Sequence, residues 1–257
     1  MSPAADLAAD RLAVRGGSRE LVSALSLDFA RGEFVAILGR NGCGKTLTLH
    51  TLAGLRPASQ GVVRLTGVPL EQLPRRAIAR RLGLLMQDQE DAFTTTALEA
   101  VLIGRHPHLA LWQWESAADE QIARRALDDV GLETFADRNL DTLSGGEQRR
   151  VAVATLLAQQ PGIFLLDEPT NHLDPQHQLH VLSLFRALAD AGSTVIATLH
   201  DPTLAARFAD RALLLFGDGR WRAGPAREVL TGETLSELYA TPMLELAAAD
   251  RRVFVTA

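Results

Sequence analysis

The stretch Gly39-Arg40-Asn41-Gly42-Cys43-Gly44-Lys45-Thr46 has the spacing G-x-x-x-x-G-K-[ST]. Glycines at these places let successive backbone N–H groups converge on phosphate oxygens, and a helix starting near Gly44 turns the positive end of its dipole toward them. Lys45 would neutralise β and γ phosphates, and Thr46 would offer a hydroxyl to Mg²⁺. The chemistry is that of a nucleoside triphosphate, and the expected ligands are ATP and Mg²⁺. The apolar run Ile163-Phe164-Leu165-Leu166 ends in Asp167 and Glu168. A buried strand tolerates two carboxylates only where it emerges at its C-terminal edge beside a cation or water. Asp167 is the expected Mg²⁺ ligand through its water shell. Glu168 is the group expected to orient or deprotonate the water that attacks the γ-phosphate.

His200 and Gln87 end the apolar runs 194–199 and 83–86, so both reach the same sheet edge. The imidazole would donate to the γ-phosphate, and the amide would bind Mg²⁺ or the attacking water. A solvated histidine and a surface glutamine are the plain alternatives at these two positions. Leu143-Ser144-Gly145-Gly146-Glu147-Gln148 precedes a long helical pattern, and Ser144 with Glu147 three residues later forms an ordinary capping box. Capping does not ask for two glycines, since each weakens a first turn by about 1 kcal/mol. A bare helix N-terminus approached by an anion explains them better.

The scaffold holding these residues alternates strand and helix. Alternation through Leu25, Leu27 and Phe29, a turn at Arg31 and Gly32, and the run 34–38 lead into the phosphate loop. Leu47, Leu49, Leu52 and Leu55 predict a helix that ends by Pro57. A strand at 61–67, an arginine-rich helix at 70–82 and a strand at 83–87 follow. Strand signals then vanish, and helical patterns at 97–103, 117–130 and 146–158 fill a helical subdomain at 88–160. Strands return at 162–166, 194–199 and 212–216, alternating with helices at 176–191 and 203–208, the pattern of parallel βαβ units. The remainder after Asp218 has space for a strand, short helices near 226–230 and 235–239, and a strand at 253–256. The expected fold class is α/β.

A length of 257 residues with 47% hydrophobic content suits one large domain or one domain with a subdomain. A formal net charge of -5 argues against a broad basic surface, so nucleic acid is not an expected partner. Apolar runs such as 213–216 fall far short of the ~20 residues a membrane span needs, and any membrane would be crossed by a partner. The small, acidic start through Asp6 and Asp10 lacks a signal pattern, and the cytoplasm is the expected compartment. Cys43 is the only cysteine, excluding an intrachain disulfide and a cysteine-rich metal site, and it reads as a small filler in the loop.

Taken in order, the phosphate loop, Gln87, the Leu143 to Gln148 stretch, Asp167 and Glu168, Asn171-His172-Leu173-Asp174 and His200 resemble the nucleotide-binding subunit of the ATP-binding-cassette (ABC) transporters over nearly the whole chain. The resemblance implies a P-loop core with a mainly parallel sheet, an antiparallel β subdomain and an α-helical subdomain, the core being 1–87 and 161–257. It implies a head-to-tail homodimer with two sandwiched ATP molecules. Each would be held by residues Gly39 through Leu47 of one copy and, in trans, by Ser144, Gly145, Gly146 and Glu147 of the other, with Asp174 in the loop linking the sites. Glu168 would be the catalytic base. Two departures stand out. The stretch Val14-Arg15-Gly16-Gly17 lacks the usual adenine-stacking aromatic, leaving Arg15 to stack through its guanidinium or adenine to be held loosely. Leu47 stands where many members carry a second hydroxyl.

Within the family, 95–108 and 208–220 are similar to importers of iron-siderophores, haem and vitamin B12. That similarity implies an ATPase powering uptake of a metal chelate through a separate membrane permease, fed by a periplasmic or surface substrate-binding protein. The chain would lie on the cytoplasmic face of the inner membrane, held there by the permease. Residues 93–114, including Phe93, Leu111, Trp112 and Trp114, would form the groove for a permease helix or simply pack the subdomain. An exporter motor, another importer, a soluble ABC-type factor and a non-hydrolysing regulatory protein are the alternatives.

Overall fold

The all-apolar runs of the sequence become strands buried on both faces. A computed structural model describes residues 6–87, 95–110, 112–248 and 251–257. The first part runs β1 (Leu7–Gly16), β2 (Arg19–Phe29), β3 (Phe34–Leu38), α1 (Lys45–Leu52), β4 (Gln60–Leu65), β5 (Val68–Pro69), α2 (Arg75–Ala79) and β6 (Leu82–Leu85). Helices α3 (Ala97–Leu102), α4 (Ala117–Asp129) and α5 (Gly145–Gln159) follow and pack on one another. The chain then alternates through β7 (Ile163–Leu166), α6 (Pro175–Asp190), β8 (Thr194–Thr198), α7 (Pro202–Phe208), β9 (Arg211–Leu215) and β10 (Trp221–Pro225). It closes with α8 (Ala226–Val229), α9 (Gly232–Tyr239), β11 (Met243–Ala248) and β12 (Arg251–Thr256).

One sheet has the order β10-β9-β3-β8-β7-β6, parallel except for the antiparallel edge strand β10. A second, antiparallel sheet has the order β2-β1-β4-β5. Successive residues of the parallel strands serve two cores, because side chains alternate across a strand. Phe34, Ala36, Leu38, Phe164 and Leu166 join the helices α3 to α7. Val35, Ile37, Ile163 and Leu165 join α1 and the antiparallel sheet. The parallel sheet is thus the middle layer, and its C-terminal strand edge stays free for a site.

The helix expected at 70–82 is interrupted. A 3₁₀ turn at Leu70–Gln72 stops at Leu73, whose ψ of 139° is extended, and α2 starts only after Pro74. Pro74 pushes the residue before it out of the helical region, which a continuous helix would require. The C-terminal strand gains an unforeseen partner, β11, paired from Met243↔Thr256 to Ala248↔Arg251. Strand β1 has a broken alternation because Arg11 adopts φ 48° and the register with β4 shifts between Asp10 and Ala13.

The helices are tied down by a buried ion pair. Arg105 Nε donates to Asp119 Oδ1 at 2.9 Å, and its Nη1 reaches the Ala158 carbonyl at 2.8 Å and Gln160 Oε1 at 3.0 Å. The Ser116 hydroxyl, and after it the Arg105 guanidinium, hold the Asp119 carboxyl at about 2. Among the described residues no helix is long and apolar enough to cross a membrane.

Candidate functional site

At the C-terminal edge of the parallel sheet, the loop leaving β3 doubles back through Gly42 at φ 76° and Gly44 at φ 102° before α1 begins at Lys45. Such left-handed values cost a residue with a Cβ about 1–2 kcal/mol. That conformational cost is the reason for glycine at 42, where nothing lies within 4 Å of an added Cβ. Crowding is not. Lys45 is buried, and its Nζ donates to the carbonyls of Gly39 at 2.9 Å and Arg40 at 3.4 Å, so the ammonium rests against its own loop.

Strand β7 delivers the two carboxylates. Asp167 is fully buried, and Thr198 Oγ1 donates to its Oδ1 at 2.7 Å. Its Oδ2 is buried with no hydrogen-bond partner among the described residues. An ionised oxygen left in that state is costly, and a cation or cation-bound water is a fitting partner for it. Glu168 adopts φ 48°, a left-handed value that non-glycine residues take at a cost of about 1–3 kcal/mol. The turn aims its carboxylate at two donors: His200 Nε2 lies 2.5 Å from Oε1, and Asn171 Nδ2 donates to Oε2. With Glu168 ionised, the shared proton sits on Nε2 of His200.

Lys45, Thr46, Gln87, Glu168 and His200 converge on one cleft of about 340 Å³ with Asn41, Gly42, Gly44, Leu47 and Leu21. Leu21 and Leu47 supply its apolar lining, and Arg15 is not part of it. Gly39, Arg40 and Cys43 do not line this cleft, and Cys43 is a small side chain filling the core under the loop. Its side chain is 4% exposed and packs into the core beneath the loop, while its N–H donates to the Arg40 carbonyl at 3.2 Å. Burial pushes its thiol up.

Ser144, Gly145, Gly146, Glu147 and Asp174 stand outside this cleft. Ser144 and Glu147 form the capping box: the Glu147 carboxylate accepts from Ser144 N at 2.7 Å and Oγ at 2.7 Å, and the hydroxyl holds it below the usual range. The two glycines have different reasons. A Cβ on Gly146 would meet the His172 carbonyl oxygen at 3.0 Å, so packing within the chain accounts for it. Nothing lies within 4 Å of a Cβ on Gly145, and only this glycine keeps the open-terminus explanation. Asp174 caps α6, accepting from His177 N at 2.9 Å, a bond that lowers its carboxyl together with the nearby imidazole.

Residue types and spacing missed Arg149, Asn171 and Thr198. Arg149 is buried on α5 at the position four before Val153 and seven before Leu156, both buried. A charged residue on that apolar stripe is the signal that could have found it. Asn171 sits in a loop without periodicity, and Thr198 reads as an ordinary β-branched strand residue. Trp112 and Trp114 are 91% and 86% exposed beside a groove bounded by Arg76, His106 and Leu109, so they do not pack the interior. Phe93 and Leu111 lie outside the described residues.

Residues 22–171 match the family model described as ABC transporter. A hemin import ATP-binding protein, HmuV of Plesiomonas shigelloides, is 39% identical, with 89% of this chain and 92% of that protein covered. The ferric enterobactin transport ATP-binding protein FepC of Escherichia coli is 36% identical over 91% of this chain and 87% of its own length. Among solved structures, a metal-chelate type ABC transporter in an inward-facing conformation superposes with a TM-score of 0.86 at 31% identity, covering 98% of this chain and 97% of that one. A dimeric bacterial ABC transporter cassette gives a TM-score of 0.75 at 28% identity, over 86% of this chain and 99% of the other. With residues of a phosphate loop, Glu168 and a histidine gathered in one cleft, Asp167 buried beside it, and likeness along nearly its whole length, the chain belongs to the ABC transporter family, among its ATP-hydrolysing subunits.

Proposed function

We propose that this chain is the ATPase subunit of an importer of metal chelates (ferric siderophore, haem or cobalamin), working as a homodimer beneath a separate membrane permease. The observation that carries the ATPase reading is the convergence of Lys45, Gln87, Glu168 and His200 on one cleft. The relatives named for hemin and ferric enterobactin transport support the cargo class.

In this reading the ATP phosphates lie over residues Gly39 to Leu47. Lys45 exchanges its two carbonyl contacts for stronger, charge-assisted bonds to phosphate oxygens. Thr46, Gln87 and Asp167 would hold Mg²⁺, which when bound supplies charge neutralisation for the β and γ phosphate oxygens. The unpartnered Asp167 Oδ2 favours that assignment. Glu168 would orient or deprotonate the attacking water. His200, expected to donate to the γ-phosphate, has its Nε2 on the Glu168 carboxylate instead, where it would hold that carboxylate in place. Each Glu168 oxygen accepts one bond, from His200 or from Asn171, and keeps a further lone pair for the proton of the attacking water.

Ser144 to Glu147 would close over ATP bound by a second copy, and Asp174 would lie between the two sites. Gly145, open to approach, supports that role. The core segments 1–87 and 161–257 would then act as one unit with the helical segment 88–160, on the cytoplasmic face of the membrane. The exposed Trp112 and Trp114 support a permease helix seated in the neighbouring groove, with the substrate-binding protein on the far side. Co-purification with the permease followed by ATP-driven uptake of haem, ferric siderophore and cobalamin tests the reading. Transport of none of them by an ATP-hydrolysing complex would overturn the cargo class.

A further inference from the structure

Arg149 lies in the second turn of α5 and is buried although it carries a full charge. Taking a guanidinium out of water is expensive unless its donors are met. Nη1 donates to the carbonyls of Met86 at 2.5 Å and Gln87 at 3.1 Å, and Nη2 donates to those of Asp167 at 2.5 Å and Glu168 at 2.8 Å. The parallel ladder between β6 and β7 ends at the pair Leu85↔Leu166. The four carbonyls therefore lie one and two residues past the last pair on each strand, and the planar fork spans both strand ends where the ladder stops. Gln87, Asp167 and Glu168, each with a role in the proposed hydrolysis, share this one support.

The same helix opens with Gly145 and Gly146. At 1.5 Å per residue, Gly145 and Arg149 are about 6 Å apart along one rigid axis. At its other end Gln159 Nε2 donates to the carbonyls of Ala79 at 2.6 Å and Leu82 at 3.1 Å, just before and at the start of β6. Helix α5 is thus fastened alongside β6 at both ends. With both ends held, a push on its N-terminus would be delivered to the strand ends.

We propose that Arg149 is a positioning residue coupling the two ATP sites of the dimer. When the α5 N-terminus of one copy closes on its partner's ATP, Arg149 transmits the movement to Gln87, Asp167 and Glu168 of its own site. The inference rests on the roles given above to Ser144 to Glu147 and to Glu168. Arg149 itself is buried and does not line the cleft.

Steady-state hydrolysis by the full chain, as wild type, Arg149→Lys, Arg149→Gln and Glu168→Gln, tests it. Lysine keeps the charge but, as a single ammonium, does not span both strand ends. The expected result for Arg149→Lys is a fall in kcat of about tenfold with KM for ATP changed by less than about threefold. The Hill coefficient for ATP is expected to exceed one in the wild type and to fall to about one in Arg149→Lys. A merely structural role would lower the folded fraction or kcat and leave cooperativity in place. Melting curves with and without ATP confirm that the variants are folded. Wild-type kcat and cooperativity in Arg149→Lys, or a wild type without cooperativity, overturns the proposal. Failure of both Arg149 variants to fold makes it a stability element and overturns it too. Wild-type turnover in Glu168→Gln instead overturns the underlying site assignment. An inactive Glu168→Gln beside an unaffected Arg149→Lys removes only the coupling.

Discussion

Gly39→Ala probes the phosphate loop where the fold leaves no room. A Cβ there would lie 2.5 Å from the Leu215 carbonyl oxygen, a backbone atom of β9, and 2.5 Å from Cys43 Sγ. Comfortable contact starts near about 3.5 Å, so the loop must retreat by about 1 Å. The Gly39 carbonyl holds Lys45 Nζ, and the retreat therefore carries the ammonium away from its place. A misplacement of about 1 Å costs about 10²-fold in rate, or about 2.7 kcal/mol. Gly42→Ala makes a built-in comparison, since it meets no neighbour within 4 Å and pays only for φ 76°. That cost of about 1–2 kcal/mol limits its effect to about 5- to 30-fold. Phosphate release and titration with a fluorescent ATP analogue measure both. Adding Cys43→Ala to Gly39→Ala removes the sulfur but not the carbonyl, and it should restore little. Turnover of Gly39→Ala within about threefold of wild type, or full rescue by Cys43→Ala, would refute the argument that the β9 backbone sets the limit.

Glu168→Gln should bind ATP normally, lose about 10²- to 10⁴-fold in turnover and accumulate as a closed dimer with MgATP in size-exclusion chromatography; near wild-type turnover would refute its role as base. Asp119→Asn leaves Arg105 buried without its counter-charge, which should cost about 3 kcal/mol and lower Tm by about 6–12 °C. Because the folded carboxyl sits at about 2 against an ordinary 3.8, the wild type's advantage is complete above the latter and is lost as pH falls toward the former. A Tm difference that does not narrow in acid would refute the ion pair as its source. Cys43, buried and with its thiol pushed up, should alkylate far more slowly in the folded chain than in denaturant. Once alkylated, the crowded loop should fail to bind ATP, and normal binding by the labelled protein would sink its packing role.

The phosphate loop was legible because its ligands are neighbours in the chain, where spacing alone sets backbone geometry. The strands of the parallel sheet were legible because burial on both faces demands unbroken apolar runs. The break at Pro74 was also written in the sequence, as a proline inside a helical pattern, although the leucine and arginine periodicity around it reads as one helix. The hairpin partner β11 was not, since Met243–Ala248 carries little alternation and takes its strand form from pairing with β12.

By itself, the sequence determined the residue types able to hold phosphate, position a carboxylate pair and cap the helices, because each depends on groups a few residues apart. Only the tertiary structure decided which of them meet. The order β3-β8-β7-β6 places Lys45, His200, Glu168 and Gln87 at the ends of neighbouring strands, and strand order is set by long-range packing. The same long range explains Arg149, whose carbonyl partners lie 62 and 63 residues away on one side and 18 and 19 on the other. No local pattern encodes a contact of that kind. Its energy comes from satisfying a buried charge with backbone that other packing forces have already brought within reach.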